Sequence, residues 1–258
     1  MKKIIHLCHL NNNERFQQIA AKLRLLCPIS GDYVVLITGD IVDKGKTEGA
    51  FQRAKELIDQ ELVQPGYQVL IVPGNHDYGT GIMSSNTVAA EFKKTFYGNA
   101  NAAFPRLDIV GDDGNQIAFI GLDTSISSFG SFAGADGEIG TTQLKALAGL
   151  LKTEVSDCEK VVVYMHHNPL VKFEVMNLDD AYQLKVVLQA ARNVDALLFG
   201  HKHSGKNACG SWGIDRFYDG GTATAHKGDP SRHRLIDLSK DSTSDLDLDL
   251  FADITAAG

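Results

Sequence analysis

Six apolar runs of strand length, each stopping at a glycine, a proline or a polar residue, limit the folds open to this chain more than any other feature; they cover residues 3–8, 33–38, 68–72, 116–121, 160–165 and 196–199. Helical spacing fills the gaps between them. Asn11-Asn12-Asn13 offers helix caps ahead of Phe16, Ile19, Ala20, Leu23 and Leu26, and further helices are expected over 47–62, 142–151 and 178–192. Strand, helix, strand in repetition predicts βαβ units covered by helices. Beyond Gly213 the pattern changes to short extended pieces at 217–218, 222–225 and 234–238, expected to be antiparallel, so the sheet system should be mixed. The Ser- and Gly-rich stretch 124–140 reads as a long surface loop bordering a site, and 242–253, where Asp alternates with Leu, as an edge strand.

At 258 residues the chain suits a single domain spanning 1–258. No apolar run approaches the roughly 20 residues needed to span a membrane. The apolar stretch after Met1-Lys2-Lys3 is broken by His6, His9 and Asn11, which does not read as a secretory signal. Cys8, Cys27, Cys158 and Cys209 are far apart with no Cys-x-x-Cys pair, which excludes zinc-knuckle and redox motifs and fits a reduced, cytoplasmic setting. A net charge of -7 argues against wide binding to nucleic acid.

Residues able to hold a metal stand just where the apolar runs end: His9 and Asn11, Asp40, Asn75 and His76, His166, then His201 and His203. Loops at the carboxyl ends of strands share one crevice in open α/β sheets, so these side chains are expected to converge. The runs Gly39-Asp40-Ile41-Val42-Asp43, Gly74-Asn75-His76-Asp77 and Gly200-His201-Lys202-His203, with the lone His166, resemble the motifs of the calcineurin-like metallophosphoesterase family across residues 3–238.

That resemblance implies a four-layer αββα α/β sandwich with mixed sheets and a dinuclear centre of Mn²⁺ or Fe/Mn, with Zn²⁺ as the alternative. By it Asp40 bridges two divalent ions, Asn75, His166 and His201 complete one shell, and His203 belongs to the other. It further implies direct attack by a hydroxide held between the ions, with His76 as general acid oriented by Asp43, and Asp77 as a second helper. One motif departs from the family: His9 takes the place of an Asp and Asn11 that of a His, which removes about one negative charge while keeping the spacing. Altered coordination at an occupied site is the expectation.

Among the neighbours, His6 and Cys8 are expected in the core, Cys8 facing away from His9 by strand alternation, and His167 behind His166. His226 and His233 have ordinary surface or core roles as their first reading, with lining the substrate pocket as the alternative, and Lys202 is equally open to meeting substrate phosphate and to facing solvent. The expected activity is hydrolysis of a small phosphorylated substrate: a phosphomonoester, phosphodiester or nucleotide anhydride. The alternatives are a phospholigand-binding protein impaired by its first motif, and a DNA-processing nuclease, which the acidic balance disfavours.

Overall fold

The computed structural model describes residues 1–125, 135–170, 176–224 and 232–249. Chain order runs β1 (Lys3–Leu7), α1 (Asn13–Leu26), β2 (Tyr33–Thr38), α2 (Ala50–Ile58), β3 (Gln68–Val72), α3 (Asn86–Tyr97), β4 (Arg106–Val110) and β5 (Ile117–Gly121). It continues through α4 (Thr141–Lys152), β6 (Lys160–Tyr164), α5 (Ala181–Ala191), β7 (Ala196–Phe199), β8 (Arg216–Asp219), β9 (Arg232–Ile236) and β10 (Leu246–Asp249). Asn12 caps α1 as its sequence suggests, its side chain accepting the Arg15 main-chain N–H at 3.1 Å. Helix α2 starts later than the pattern of 47–62 implies, because Gly49 at φ 67° breaks the backbone before Ala50; its last turn then widens over Asp59–Val63.

The strands form two five-stranded sheets, ordered β10-β9-β1-β2-β3 and β4-β5-β6-β7-β8. Strand alternation sets the layers. Ile5, Leu7, Val35 and Ile37 face Phe16, Leu23, Phe51 and Phe92 of α1, α2 and α3, whereas Ile4, Val34 and Leu36 meet Phe119, Val162 and Leu198 of the other sheet. On the far side Val161, Val163 and Leu197 pack under Leu147 and Leu184 of α4 and α5. Helices, sheet, sheet, helices is the expected αββα order. β1, β2 and β3 run parallel, as do β5, β6, β7 and β8, while β4, β9 and β10 are antiparallel to their neighbours, so both sheets are mixed.

Several local expectations are corrected. β8 is parallel to β7, not antiparallel, because the chain after His203 loops back through Ser211–Gly213 before re-entering the sheet in the same direction. Residues 222–224 form no strand, although Ala223 and Thr224 donate main-chain bonds to the Cys8 and His9 carbonyls at 2.7 and 3.1 Å; Ala225 and His226 lie outside the described residues. α3 and the edge strand β4 had no counterpart in the sequence reading. The Asp-Leu alternation does give the edge strand β10, where Asp247 meets Arg232 at 3.2 Å; residues 250–253 lie outside the described residues, as do 126–134 of the long loop. Among the described residues no helix is long and apolar enough to cross a membrane.

His6 is fully buried, bonded through Nε2 to Thr38 Oγ1 at 2.9 Å. Burial, reinforced by the Arg234 charge, pushes its pKa down from 6.5 to about 3. The unfolded chain therefore takes up a proton that the folded state refuses. Stability from this group is complete above the unfolded pKa and is lost as pH falls toward the folded one. Urea unfolding of His6→Leu and the parent is expected to show a pH slope flatter in the variant by about 1.4 kcal/mol per unit between roughly pH 6 and 4.5. Parallel slopes would contradict this account.

Candidate metal centre

The carboxyl ends of β1, β2 and β3 in one sheet and of β6 and β7 in the other open onto one place. Each turn there is tight. His9, Asp40, His201 and His203 adopt φ values of 59°, 54°, 71° and 55°, the left-handed region that costs a side chain about 1–2 kcal/mol. Such strain concentrates at functional sites because the surrounding structure holds it in place. Gly39, at φ 88°, is required for a second reason: a Cβ there would come within 2.6 Å of His166 Nδ1 and 2.7 Å of the Gly74 nitrogen.

Asp40, 1% exposed, lies at the centre. Its Oδ1 accepts the His76 main-chain N–H at 3.1 Å. Its Oδ2 is buried with no hydrogen-bond donor, although His9 Nε2 is 2.8 Å away and His166 Nε2 3.3 Å. The surrounding groups explain why. His166 Nδ1 donates to the Thr38 carbonyl at 2.7 Å, leaving a lone pair on Nε2, and the Asn75 amide nitrogen donates to the Gly81 carbonyl at 2.7 Å, turning Oδ1 inward. His166 Nε2 then lies 3.0 Å from Asn75 Oδ1 and 3.1 Å from His201 Nδ1. On the other side of Asp40, His9 Nε2 and His203 Nε2 are 2.6 Å apart.

One proton cannot satisfy so many converging acceptors. Ligand atoms about 2.1 Å from an ion and at right angles to each other are about 3.0 Å apart, which these spacings match. The donor set of one carboxylate, one amide oxygen and four imidazoles fits intermediate divalent ions. His9, Asp40, Asn75, His166, His201 and His203 are therefore brought together. Asn11 sits at the exposed rim, its Oδ1 3.1 Å from the Thr224 hydroxyl. His167 is closer than expected: it offers a nitrogen within 4.8 Å of those of His166 and His201, though its Nδ1 is engaged with Thr124 Oγ1 at 2.7 Å.

The electrostatics follow from this crowding. Burial would raise Asp40, but the His166 and His9 imidazoles outweigh it and hold the carboxyl well below its usual range. Burial would likewise lower His9, yet Cys8 and Asp40 raise it to about 10. His201 is driven well down by burial and by the neighbouring His167 and His166.

His76 and Asp43 differ from expectation in detail. His76 Nδ1 donates to the Asp43 main-chain carbonyl at 2.7 Å, and the Asp43 side chain is exposed, so the orienting group is a peptide oxygen and not a carboxylate. Asp77 has other partners. It is fully buried, and its two oxygens take the Ile41, Val42 and Gly74 N–H groups at 2.9, 3.1 and 2.8 Å, tying the Asp40 turn to the Asn75 turn. His233, 1% exposed on β9, is a core residue. Two contributors escaped the sequence reading, the Thr38 carbonyl and the Cys8 sulfur. Cys8 Sγ is 3.1 Å from His9 Nδ1, not on the opposite face, because β1 ends at Leu7 and the left-handed His9 breaks the alternation.

A four-layer sandwich with this cluster at the shared carboxyl ends of its strands defines a metal-dependent phosphoesterase. The chain belongs to the calcineurin-like phosphoesterase family, whose model matches residues 5–205. No curated protein matches it. Among solved structures it is similar to a dimetal phosphatase from Danio rerio, at 14% identity over 96% of this chain and 99% of that one, with a TM-score of 0.67. GAP50, the anchor in the inner membrane complex of Plasmodium, is 14% identical over 91% of this chain and 80% of its own, with a TM-score of 0.57. The sulfate thiohydrolase SoxB of Thermus thermophilus is 13% identical over 95% of this chain and 44% of its own, with a TM-score of 0.53.

Proposed function

We propose that the protein hydrolyses a small phosphomonoester, phosphodiester or nucleotide anhydride at a dinuclear centre held by Asp40 between His9 and His203 on one side, with Asn11 at its rim, and Asn75, His166 and His201 on the other. The observation that carries this reading is the buried Asp40 Oδ2, without a donor and ringed by acceptors. Bound Mn²⁺, Fe²⁺ or Zn²⁺ would supply a nucleophile from water near neutral pH and offset phosphoryl charge. The chain's own groups do the rest. His76 places its ring through two main-chain bonds, one from its own N–H to Asp40 Oδ1 and one from Nδ1 to the Asp43 carbonyl. With Nδ1 committed, Nε2 is the atom that gives a proton to the leaving oxygen.

Beside Asn11 and Asp43 lies a cavity of about 180 Å³ that Lys44 and Arg53 also line, a size and charge suited to a small anionic leaving group. A second reading, a phospholigand-binding protein with lost chemistry, draws support from the neutral His9 and the rim position of Asn11. The two separate in one experiment. After chelation and readdition of Mn²⁺, Fe²⁺, Zn²⁺ or Mg²⁺, two ions per chain and restored hydrolysis of mono-aryl or bis-aryl phosphates are expected. One ion and no turnover would favour the binding protein, and salt-sensitive retention or cutting of DNA would favour a nuclease.

A further inference from the structure

The first half of the centre depends on an imidazole at a position where the family pattern has a carboxylate. The exchange brings a requirement of its own. A carboxylate offers lone pairs on both oxygens, whereas a neutral imidazole offers one, and that one can face an ion only when the other ring nitrogen carries the proton. Something must therefore receive the His9 Nδ1 proton. We propose that Cys8 is the positioning residue for His9: its sulfur accepts from His9 Nδ1–H and so fixes the tautomer and ring orientation that aim Nε2 at Asp40 and His203. The proposal rests on the reading of His9 as a ligand.

The bonding around the sulfur suits one direction once Nε2 is a ligand. Cys8 is fully buried, and its Sγ lies 3.2 Å from the Thr38 carbonyl and 3.1 Å from His9 Nδ1. A carbonyl oxygen only accepts, so the single S–H goes to Thr38 and the His9 nitrogen donates to the sulfur. The reverse arrangement, S–H to Nδ1, would leave the proton on Nε2, 2.8 Å from Asp40 Oδ2, and take away the lone pair that a ligand must offer. The Thr38 carbonyl also takes the His166 Nδ1–H at 2.7 Å, so one peptide oxygen sets both imidazoles, His166 directly and His9 through the thiol.

The surroundings are shaped for the sulfur. A Cβ on Gly200 would collide with Cys8 Sγ, so the glycine that opens Gly200-His201-Lys202-His203 clears the space the thiol fills. The backbone on either side is pinned, with His9 and Leu10 N–H groups donating to the Gly39 and Asp40 carbonyls, both at 3.1 Å, and Ala223 donating to the Cys8 carbonyl at 2.7 Å. Ring rotation of His9 is what remains to be fixed. Outer-shell partners of metal-bound histidines commonly do this, and their loss costs roughly 10–100-fold in metal affinity.

The test uses the full chain, stripped and titrated calorimetrically with Zn²⁺, as wild type, Cys8→Ala and Cys8→Ser. Ser retains a donor for Thr38 and an acceptor for His9. Expected are two binding steps in the wild type, one of them weakened about 10–100-fold in Cys8→Ala and largely recovered in Cys8→Ser, the other unchanged. Nitrogen-15 spectra of the Zn²⁺ form should show the His9 proton on Nδ1 in the wild type and in Cys8→Ser. Unchanged affinities and tautomer in Cys8→Ala would overturn the proposal, as would equal weakening of both steps. A sulfur-to-metal charge-transfer band in the Co²⁺ form would also overturn it, since Cys8 would then be a ligand itself. A wild type that binds a single ion would instead overturn the two-ion reading beneath it.

Discussion

Replacing Asp40 by asparagine is expected to cost both ions at once. Its Oδ2 is the atom nearest both halves of the centre, 2.8 Å from His9 Nε2 and 3.3 Å from His166 Nε2, so no other side chain has its position. The substitution keeps the shape and the Oδ1 that accepts the His76 N–H. What it removes is the single negative charge shared by the two halves. A loss of one to two decades at each half gives about 10²–10⁴ in joint affinity, and turnover should fall at least in proportion. Ion counting by mass spectrometry alongside hydrolysis reads both effects, and full occupancy by two ions in Asp40→Asn would refute bridging. In the stripped protein the same variant removes the carboxylate that raises His9 and His166, so both rings should titrate lower.

The second large effect belongs to His76. His76→Ala should reduce kcat/KM by about 10²–10⁴ for substrates with poorly acidic leaving groups and far less for activated aryl phosphates. The contrast is informative because no ligand is touched: His76 reaches Asp40 through its main chain, which alanine retains. A plot of log kcat/KM against leaving-group pKa should therefore steepen in the variant. Equal losses across the series would show that His76 does something other than give a proton. Asp43→Ala is a useful companion. Its carbonyl, not its carboxylate, holds His76 Nδ1, so this variant should stay close to the parent.

Much of this was legible in the sequence, and for a physical reason. Ligands at the ends of buried strands are flanked by runs such as 34–37 and 161–164 that have no other stable use, so strand and site declare each other. His166 shows the limit of single positions: alone it is one histidine after one strand, and it gains meaning from the motifs around it. What escaped was structure that leaves weak local marks. α3 follows a stretch of Gly, Ser and Asn, and only Val88, Ala89 and Phe92 are fully committed to the core. β4 buries just Val110 completely, so its residues lack the apolar signature of an inner strand. The direction of β8 differs from expectation because length and hydropathy do not encode which way a strand enters a sheet. Cys8 lies on the side opposite to expectation because period-two alternation stops where the strand ends at Leu7, a boundary that only the left-handed His9 reveals.

The division of the candidate ligands between the sheets has a consequence for the molecule as a whole. His9, Asp40 and Asn75 follow strands of one sheet, while His166, His201 and His203 follow strands of the other, and the closest pair across the divide, His9 and His203, is 194 residues apart along the chain. Among the described residues the facing strands of the two sheets meet through packed side chains such as Ile4, Leu36, Phe119 and Leu198, and Arg216 of β8 bonds Asp245 beside β10 at 2.8 Å. A cation seated at their shared rim would act as a rivet through both plates, and each rivet would add about 2.7 kcal/mol to the folded state at a hundredfold excess over its dissociation constant. Prying the plates apart would then require releasing the ions first. In such a molecule the scarcity or supply of metal would govern how long the fold lasts as well as whether it turns over.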